Sequence, residues 1–127
     1  MAWTSKQLDL IGSAPELEIA VYRTDGTTRA WTPIWAVCAD GEVFVRTWYP
    51  RPTGWFGLVL RTERARVRVP GVEADVRAEN VGAESSSLRA RVDDAYRSKY
   101  GGGSSDRMIA DEAAATTLRL IPTTPAR

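Results

Sequence analysis

Apolar and polar positions along this chain alternate with a period of two over most of the first 80 residues and change to helical spacing at a few well-marked places. Thr4 stands as an N-cap with Gln7 three residues on, which is the pair a capping box requires, and Trp3 and Leu8 are spaced for the hydrophobic staple. That predicts a short helix over residues 4–11, stopped at Gly12. From Leu17 to Arg23 the pattern is that of a strand, and Asp25 and Gly26 form a hairpin turn into the next one. The second strand is expected over residues 29–37. Asp40 and Gly41 turn it into a third over residues 42–48, so that three antiparallel strands follow one another as a meander.

A polar loop holding Arg51 and Thr53 then opens an apolar segment. Thr53 is placed to cap a helix over residues 54–61, where Trp55, Leu58 and Val59 share one face. Two strands joined by Pro70 and Gly71 come next, with Val67, Val69, Val72, Ala74 and Val76 on the buried face. A two-residue turn there sets Arg68 opposite Glu73 and Arg66 opposite Asp75 on the outer face, so the Arg-rich run reads as a salt-bridged, solvated sheet surface. The clearest helix spans residues 85–100, with Leu88, Val92, Ala95, Tyr96 and Tyr100 at helical spacing and charged residues opposite. Three glycines stop it. A second short helix over residues 106–113 and a strand over 116–121 complete one α+β domain across residues 1–127. The expected architecture is a six-stranded antiparallel split β-barrel, with strands within residues 17–79 and 116–121 and short peripheral helices.

Composition removes several functions. Lys and Arg total 17 against 16 acidic residues, a balance without the basic excess of a nucleic-acid binder. No apolar run approaches the roughly 18 residues of a membrane span, and no secretory signal opens the chain. The single cysteine, Cys38, rules out an intrachain disulfide; it reads as a small buried residue, and a reducing cytoplasm is the expected setting. The chain has no histidine. Histidine-based nucleophilic triads and the usual zinc and haem ligation are thereby set aside, and no metal site is expected. Acid–base chemistry would fall to Asp, Glu, Lys, Tyr or a cofactor.

The order strand, tight turn, strand, polar loop, helix, basic strand between Arg29 and Val69 resembles the flavin-binding split-barrel superfamily. Within it, Trp35, the run Arg46-Thr47-Trp48, Gly54 with Trp55, and the run from Ala95 to Gly101 are similar to the bacterial family called domain of unknown function 2255. The resemblance covers nearly the whole chain. It implies a homodimer with a small-molecule pocket, and either FMN or a deazaflavin as cofactor. Carried over by position, Arg46, Thr47, Arg51 and Thr53 would contact the cofactor phosphate, with Trp31 and Trp48 lining the ring site. The chemistry suits the role, since guanidinium, hydroxyl and a helix N-terminus all favour an anion. The loop departs from the pattern in carrying Pro50 and Pro52, which remove two backbone donors.

Other readings of the same residues stand beside this one. Trp31 and Trp35 are an even number apart, so they should share a face of one strand, and Phe44, Arg46 and Trp48 form a similar set on the next. Trp35 and Trp55 read first as fillers of a small barrel or its interface. Arg46 interrupts an apolar stretch and should be paired with a carboxylate on the last helix or contact an anion. Tyr22, Tyr49, Asp106 and Glu112 are the catalytic candidates, as proton donors or bases; Tyr96 and Tyr100 lie on the apolar helix face and read as core. Residues 101–105 read as a flexible connector. The functional classes are therefore a flavin- or deazaflavin-dependent oxidoreductase, a cofactor-independent isomerase or cyclase acting on a bacterial metabolite, and a non-catalytic ligand-binding dimer.

Overall fold

A computed structural model describes residues 2–47, 54–101 and 106–123. In chain order the elements are α1 (Ser5–Ser13), β1 (Leu17–Val21), β2 (Thr32–Ile34), β3 (Ala36–Ala39), β4 (Glu42–Val45), α2 (Trp55–Thr62), β5 (Arg64–Val69), β6 (Val72–Asn80), α3 (Ser86–Tyr100), α4 (Asp106–Ile109), α5 (Asp111–Ala114) and β7 (Leu118–Pro122). All strand pairs are antiparallel, in the order β2-β1-β5-β6-β7-β4-β3.

The expected strand over residues 29–37 is broken into β2 and β3, which makes seven strands in place of six among the described residues. The break also removes the meander. β2 pairs with β1 at one edge of the sheet, and β3 pairs with β4 at the other. Trp35 alone separates the two. Consecutive Cα atoms are about 3.8 Å apart, so Ile34 and Ala36 lie within roughly 7.5 Å of each other. Both edges of a seven-stranded sheet can come that close only if the sheet curls on itself, and the result is a split barrel. Pro33 fits this arrangement, because a residue without an N–H is tolerated on an edge strand.

The barrel interior is filled by Leu17, Ile19, Val21, Val43, Val45, Val67, Val76, Leu118 and Leu120, which are essentially inaccessible. The hairpin of β5 and β6 has the expected register, with Arg68 opposite Glu73 and Arg66 opposite Asp75. Its ion pairs run diagonally and across to the next strand: Arg66 reaches Glu73 at 2.6 Å and Asp75 at 3.2 Å, while Arg68 pairs with Glu18 of β1 at 2.9 Å. At the N-terminus the capping box forms, Thr4 Oγ1 accepting from the Gln7 N–H and Gln7 Oε1 accepting from the Thr4 N–H. α1 runs one residue past Gly12, to Ser13. Trp3 goes deeper than a staple, donating its indole N–H to the Leu120 carbonyl at 2.9 Å. α2 has Gly54 at its N-cap, and the expected cap, Thr53, lies outside the described residues. The helix foreseen over residues 106–113 is divided into α4 and α5, and the last strand starts two residues later than expected.

A second apolar layer lies outside the barrel. Val37 and Phe44 of the β3–β4 pair meet Leu88, Val92 and Tyr96 of α3, with Val81 and Met108 at its margin. The alternation of β4 divides its side chains between the layers: Val43 and Val45 point to the barrel, Phe44 towards α3.

Gly82, between β6 and α3, should tolerate no side chain, because a Cβ there would stand 2.0 Å from the Ala115 carbonyl oxygen. Gly82→Ala is expected to cost upwards of about 3 kcal/mol in a denaturant titration. Gly26→Ala should cost only about 1–2 kcal/mol, since that glycine sits at φ +88 with open space around it.

Candidate functional site

The break between β2 and β3 leaves the Trp35 indole at the barrel seam, and three residues from the C-terminal half of α3 hold it there. The Tyr96 hydroxyl donates to the Trp35 carbonyl at 3.3 Å. Lys99 Nζ donates to the next carbonyl, Ala36, at 2.6 Å and to that of Ile11 at 3.2 Å. Tyr100 lies flat against the indole, ring centroids 3.9 Å apart and planes 3° from parallel, and its hydroxyl donates to the Pro15 carbonyl at 2.9 Å. Tyr96 and Lys99 point to one place because they are three apart on a helix, and Tyr100 follows one turn after Tyr96. The run from Ala95 to Gly101 is thus a clamp on the seam. Backbone carbonyls at a strand break lack ladder partners, and these side chains supply them.

Beside the seam is a cavity of about 260 Å³ lined by Glu16, Pro33, Ile34, Trp35, Arg46, Thr47, Trp55, Arg107 and Met108. Arg46 follows β4 directly and is buried. Its Nε donates to Thr117 Oγ1 at 2.8 Å, and its Nη1 donates to Asp93 Oδ1 at 2.6 Å and to the Met108 carbonyl at 2.8 Å. The Tyr96 ring lies 5.5 Å from Cζ. Arg46 therefore has a helix carboxylate as a buried cation needs, but from α3 and not from the last helix, where it was expected. Its Nη2 is buried and has no hydrogen-bond acceptor among the described residues. Thr47 is tied at the backbone to Thr116, whose hydroxyl accepts from the Thr47 N–H at 3.0 Å.

Of the residues singled out in the sequence, Arg46 and Thr47 line this cavity. Trp31 does not. It lies under the Arg68 guanidinium, 4.0 Å from Cζ to the ring centroid, and the break at Trp35 separates the two indoles that regular alternation would have set on one face. Tyr22 donates its hydroxyl to Asp75 Oδ1 at 2.9 Å and stacks under Arg64, away from the seam. Asp106 and Glu112 are exposed on α4 and α5 and are not among the cavity residues. Trp48, Tyr49, Arg51 and Thr53 lie outside the described residues. Trp35 and Trp55, read first as fillers, are both half-buried cavity walls. Glu16, Arg107 and Met108 were not anticipated. The one local signal was Pro33, which argues against a continuous strand through Trp35. Among the described residues no cluster of three or more metal-binding side chains occurs, and no helix is long and apolar enough to cross a membrane.

Burial governs the titration of the clamp. It pushes the Tyr100 phenol up to about 12 and the Tyr96 phenol higher still, and it pulls the Lys99 ammonium below its ordinary value. It also raises the Cys38 thiol, against the pull of the Lys99 charge. For each tyrosine the folded state keeps a proton that the unfolded chain releases near pH 10. That contribution to stability is whole below pH 10 and is lost as pH rises towards 12. Lys99 works in the opposite sense, its buried-charge penalty easing as pH rises to its ordinary 10.5. Tyrosinate absorbance should accordingly show Tyr100 still mainly protonated at about pH 11, and Tyr100→Phe should flatten the alkaline loss of thermal stability. Asp93→Ala should cost about 3–5 kcal/mol in a denaturant titration, because it leaves the Arg46 charge buried without its counter-ion.

Solved structures of several bacterial proteins share this fold. A conserved hypothetical protein from Mycobacterium tuberculosis superposes with a TM-score of 0.64 at 16% identity, over 99% of this chain and 82% of that one. HutZ, the heme storage protein from Vibrio cholerae, gives 0.65 at 12% identity, over 98% and 93%. A FAD-binding protein from Mesorhizobium loti gives 0.56 at 13% identity, over 98% and 93%. At such identities the likeness is one of fold, and it confirms the split barrel. No curated protein matches the chain. A family model does match, over residues 7–120, and the chain belongs to that family, described as an uncharacterized protein conserved in bacteria (DUF2255).

Proposed function

We propose that this protein binds a flat small molecule in the seam cavity and that a flavin or deazaflavin is the ligand class it fits first. The observation that carries this reading is the cavity itself: two indoles, Trp35 and Trp55, line a space of about 260 Å³ together with the buried Arg46, one of whose nitrogens lacks an acceptor among the described residues. Aromatic walls with a few fixed polar groups are the usual make-up of a small-molecule site. The volume is close to the lower end of such pockets, enough for the core of a planar ring with its remainder at the mouth. The shared fold with a FAD-binding protein supports the reading. The heme cargo of HutZ is a poorer guide, because this chain has no histidine to ligate iron.

In this reading Trp35 and Trp55 hold the ring, Arg46 and Thr47 fix its polar edge, and Arg51, Thr53 and Trp48, carried over from the family resemblance alone, contact the rest of the ligand. A bound flavin or deazaflavin would supply hydride transfer, making the protein an oxidoreductase. The chain's own contribution is to orient the ring and exclude water, and the tyrosine clamp holds the Trp35 wall rigid for that purpose. We take the working unit to be a homodimer, as the family resemblance implies, in the reducing cytoplasm that a single cysteine suits. A second reading has one observation of its own: Glu16 and Arg107 line the same cavity as Arg46. A carboxylate and guanidinium groups lining one cavity suit acid–base chemistry on a carbonyl compound, as in a cofactor-independent isomerase or cyclase.

Titration of the purified protein with FMN, riboflavin and a deazaflavin, followed by ligand fluorescence, tests the first reading. Saturable binding at micromolar or tighter affinity, weakened about tenfold or more by Trp35→Ala, is the expected result. Absence of binding to all three would end it and leave the Glu16 reading to be pursued with Glu16→Gln.

A further inference from the structure

The guanidinium of Arg46 has five N–H groups on three nitrogens. Nε uses its one on Thr117, and Nη1 uses both of its own on Asp93 and the Met108 carbonyl. The two on Nη2 have no acceptor among the described residues, although the side chain is fully buried. A buried donor left unmet is costly, and it calls for an acceptor that the described residues do not provide. Arg46 borders the seam cavity, so the acceptor can arrive from there.

The engaged nitrogens decide what that acceptor is. A phosphate or carboxylate is gripped by two neighbouring nitrogens acting as a fork. On Arg46 each such pair includes a nitrogen whose hydrogens are already taken. The charge is also met: Asp93 stands 2.6 Å away and the Tyr96 ring covers one face. What remains is a single terminal nitrogen on a neutralised ion pair, which can reach one oxygen and cannot fork a phosphate. That donor suits an uncharged oxygen. We infer that Arg46 reads a carbonyl oxygen on the edge of a planar ring, set between Trp35 and Trp55, and that it does not bind the phosphate of a nucleotide-like ligand. This deepens the proposed function and rests on the seam cavity being the ligand site.

Side-chain 15N spectra of the Arg46 guanidinium, recorded with lumichrome, riboflavin, FMN and inorganic phosphate added in turn, test the inference. Trp35 fluorescence, isolated by difference against Trp35→Phe, reports separately whether the cavity is filled. Lumichrome, which is the ring dione without ribityl or phosphate, should shift the Nη signals and slow their proton exchange. Inorganic phosphate should leave them unchanged, and FMN and riboflavin should bind within about threefold of each other as far as Arg46 is concerned. Arg46→Lys keeps a charge for Asp93 and lacks the second terminal nitrogen; it should weaken lumichrome by about tenfold while the FMN-to-riboflavin ratio stays fixed. Trp35 quenching without any change at Arg46, or a phosphate-induced shift of the Nη signals, would overturn the inference and leave the cavity reading standing. No quenching by any ring compound would overturn both.

Discussion

Everything in this molecule turns on a single-residue step. β2 and β3 belong to opposite edges of a seven-stranded sheet, yet Trp35 is all that lies between them. Covalent geometry then dictates closure, for two Cα atoms two residues apart cannot be further separated than roughly 7.5 Å. Closure has a cost in backbone pairing. A chain leaving one edge strand and entering another cannot keep a ladder through the corner, and the carbonyls of Trp35 and Ala36 need other donors. α3 provides them through Tyr96, Lys99 and Tyr100. The seam, the helix and the cavity beside them are one structural unit.

The buried Arg46 cation extends that unit to the C-terminal segment. Its donors reach Asp93 on α3, Met108 on α4 and Thr117 just ahead of β7. A well-packed apolar residue would be at least as stabilising in such a place, since desolvating a charge offsets much of what pairing returns. Among the described residues one Arg46 nitrogen stays unmet, which is why we look for a use beyond stability. The same network explains why α4 and α5 stay against the barrel despite their shortness, because Arg46 holds the Met108 carbonyl and Arg89 pairs with Asp111.

Much of the fold was legible because it is encoded locally. The capping box at Thr4, the turns at Asp40 with Gly41 and at Pro70 with Gly71, and the span of α3 all follow from chemistry within a few residues. The inward set of β5 and β6 followed from alternation alone, and so did the outward Arg66 and Arg68. The strand through Trp35 was misread for the converse reason. Residues 29–37 have the composition of one strand, and only Pro33 hints otherwise. Where a strand changes neighbours depends on the curvature of the sheet, which no window of nine residues contains.

The site divides in the same way. That Arg46 needed a partner was readable from its apolar flanks, and a helix carboxylate was the natural supplier. Which nitrogen would be left over was not readable, because the groups that occupy the others lie 47, 62 and 71 residues away. The roles of Trp31 and Trp35 depended on a break that alternation does not reveal, and Glu16 joins the cavity only because α1 and β1 bring its turn to the seam. The sequence by itself determined the elements, their amphipathic faces and the absence of histidine chemistry, since each depends on residue type and short spacing. The tertiary structure alone decided the order of strands, the seam and the cavity, because these arise from contacts between segments whose separation along the chain carries no local trace.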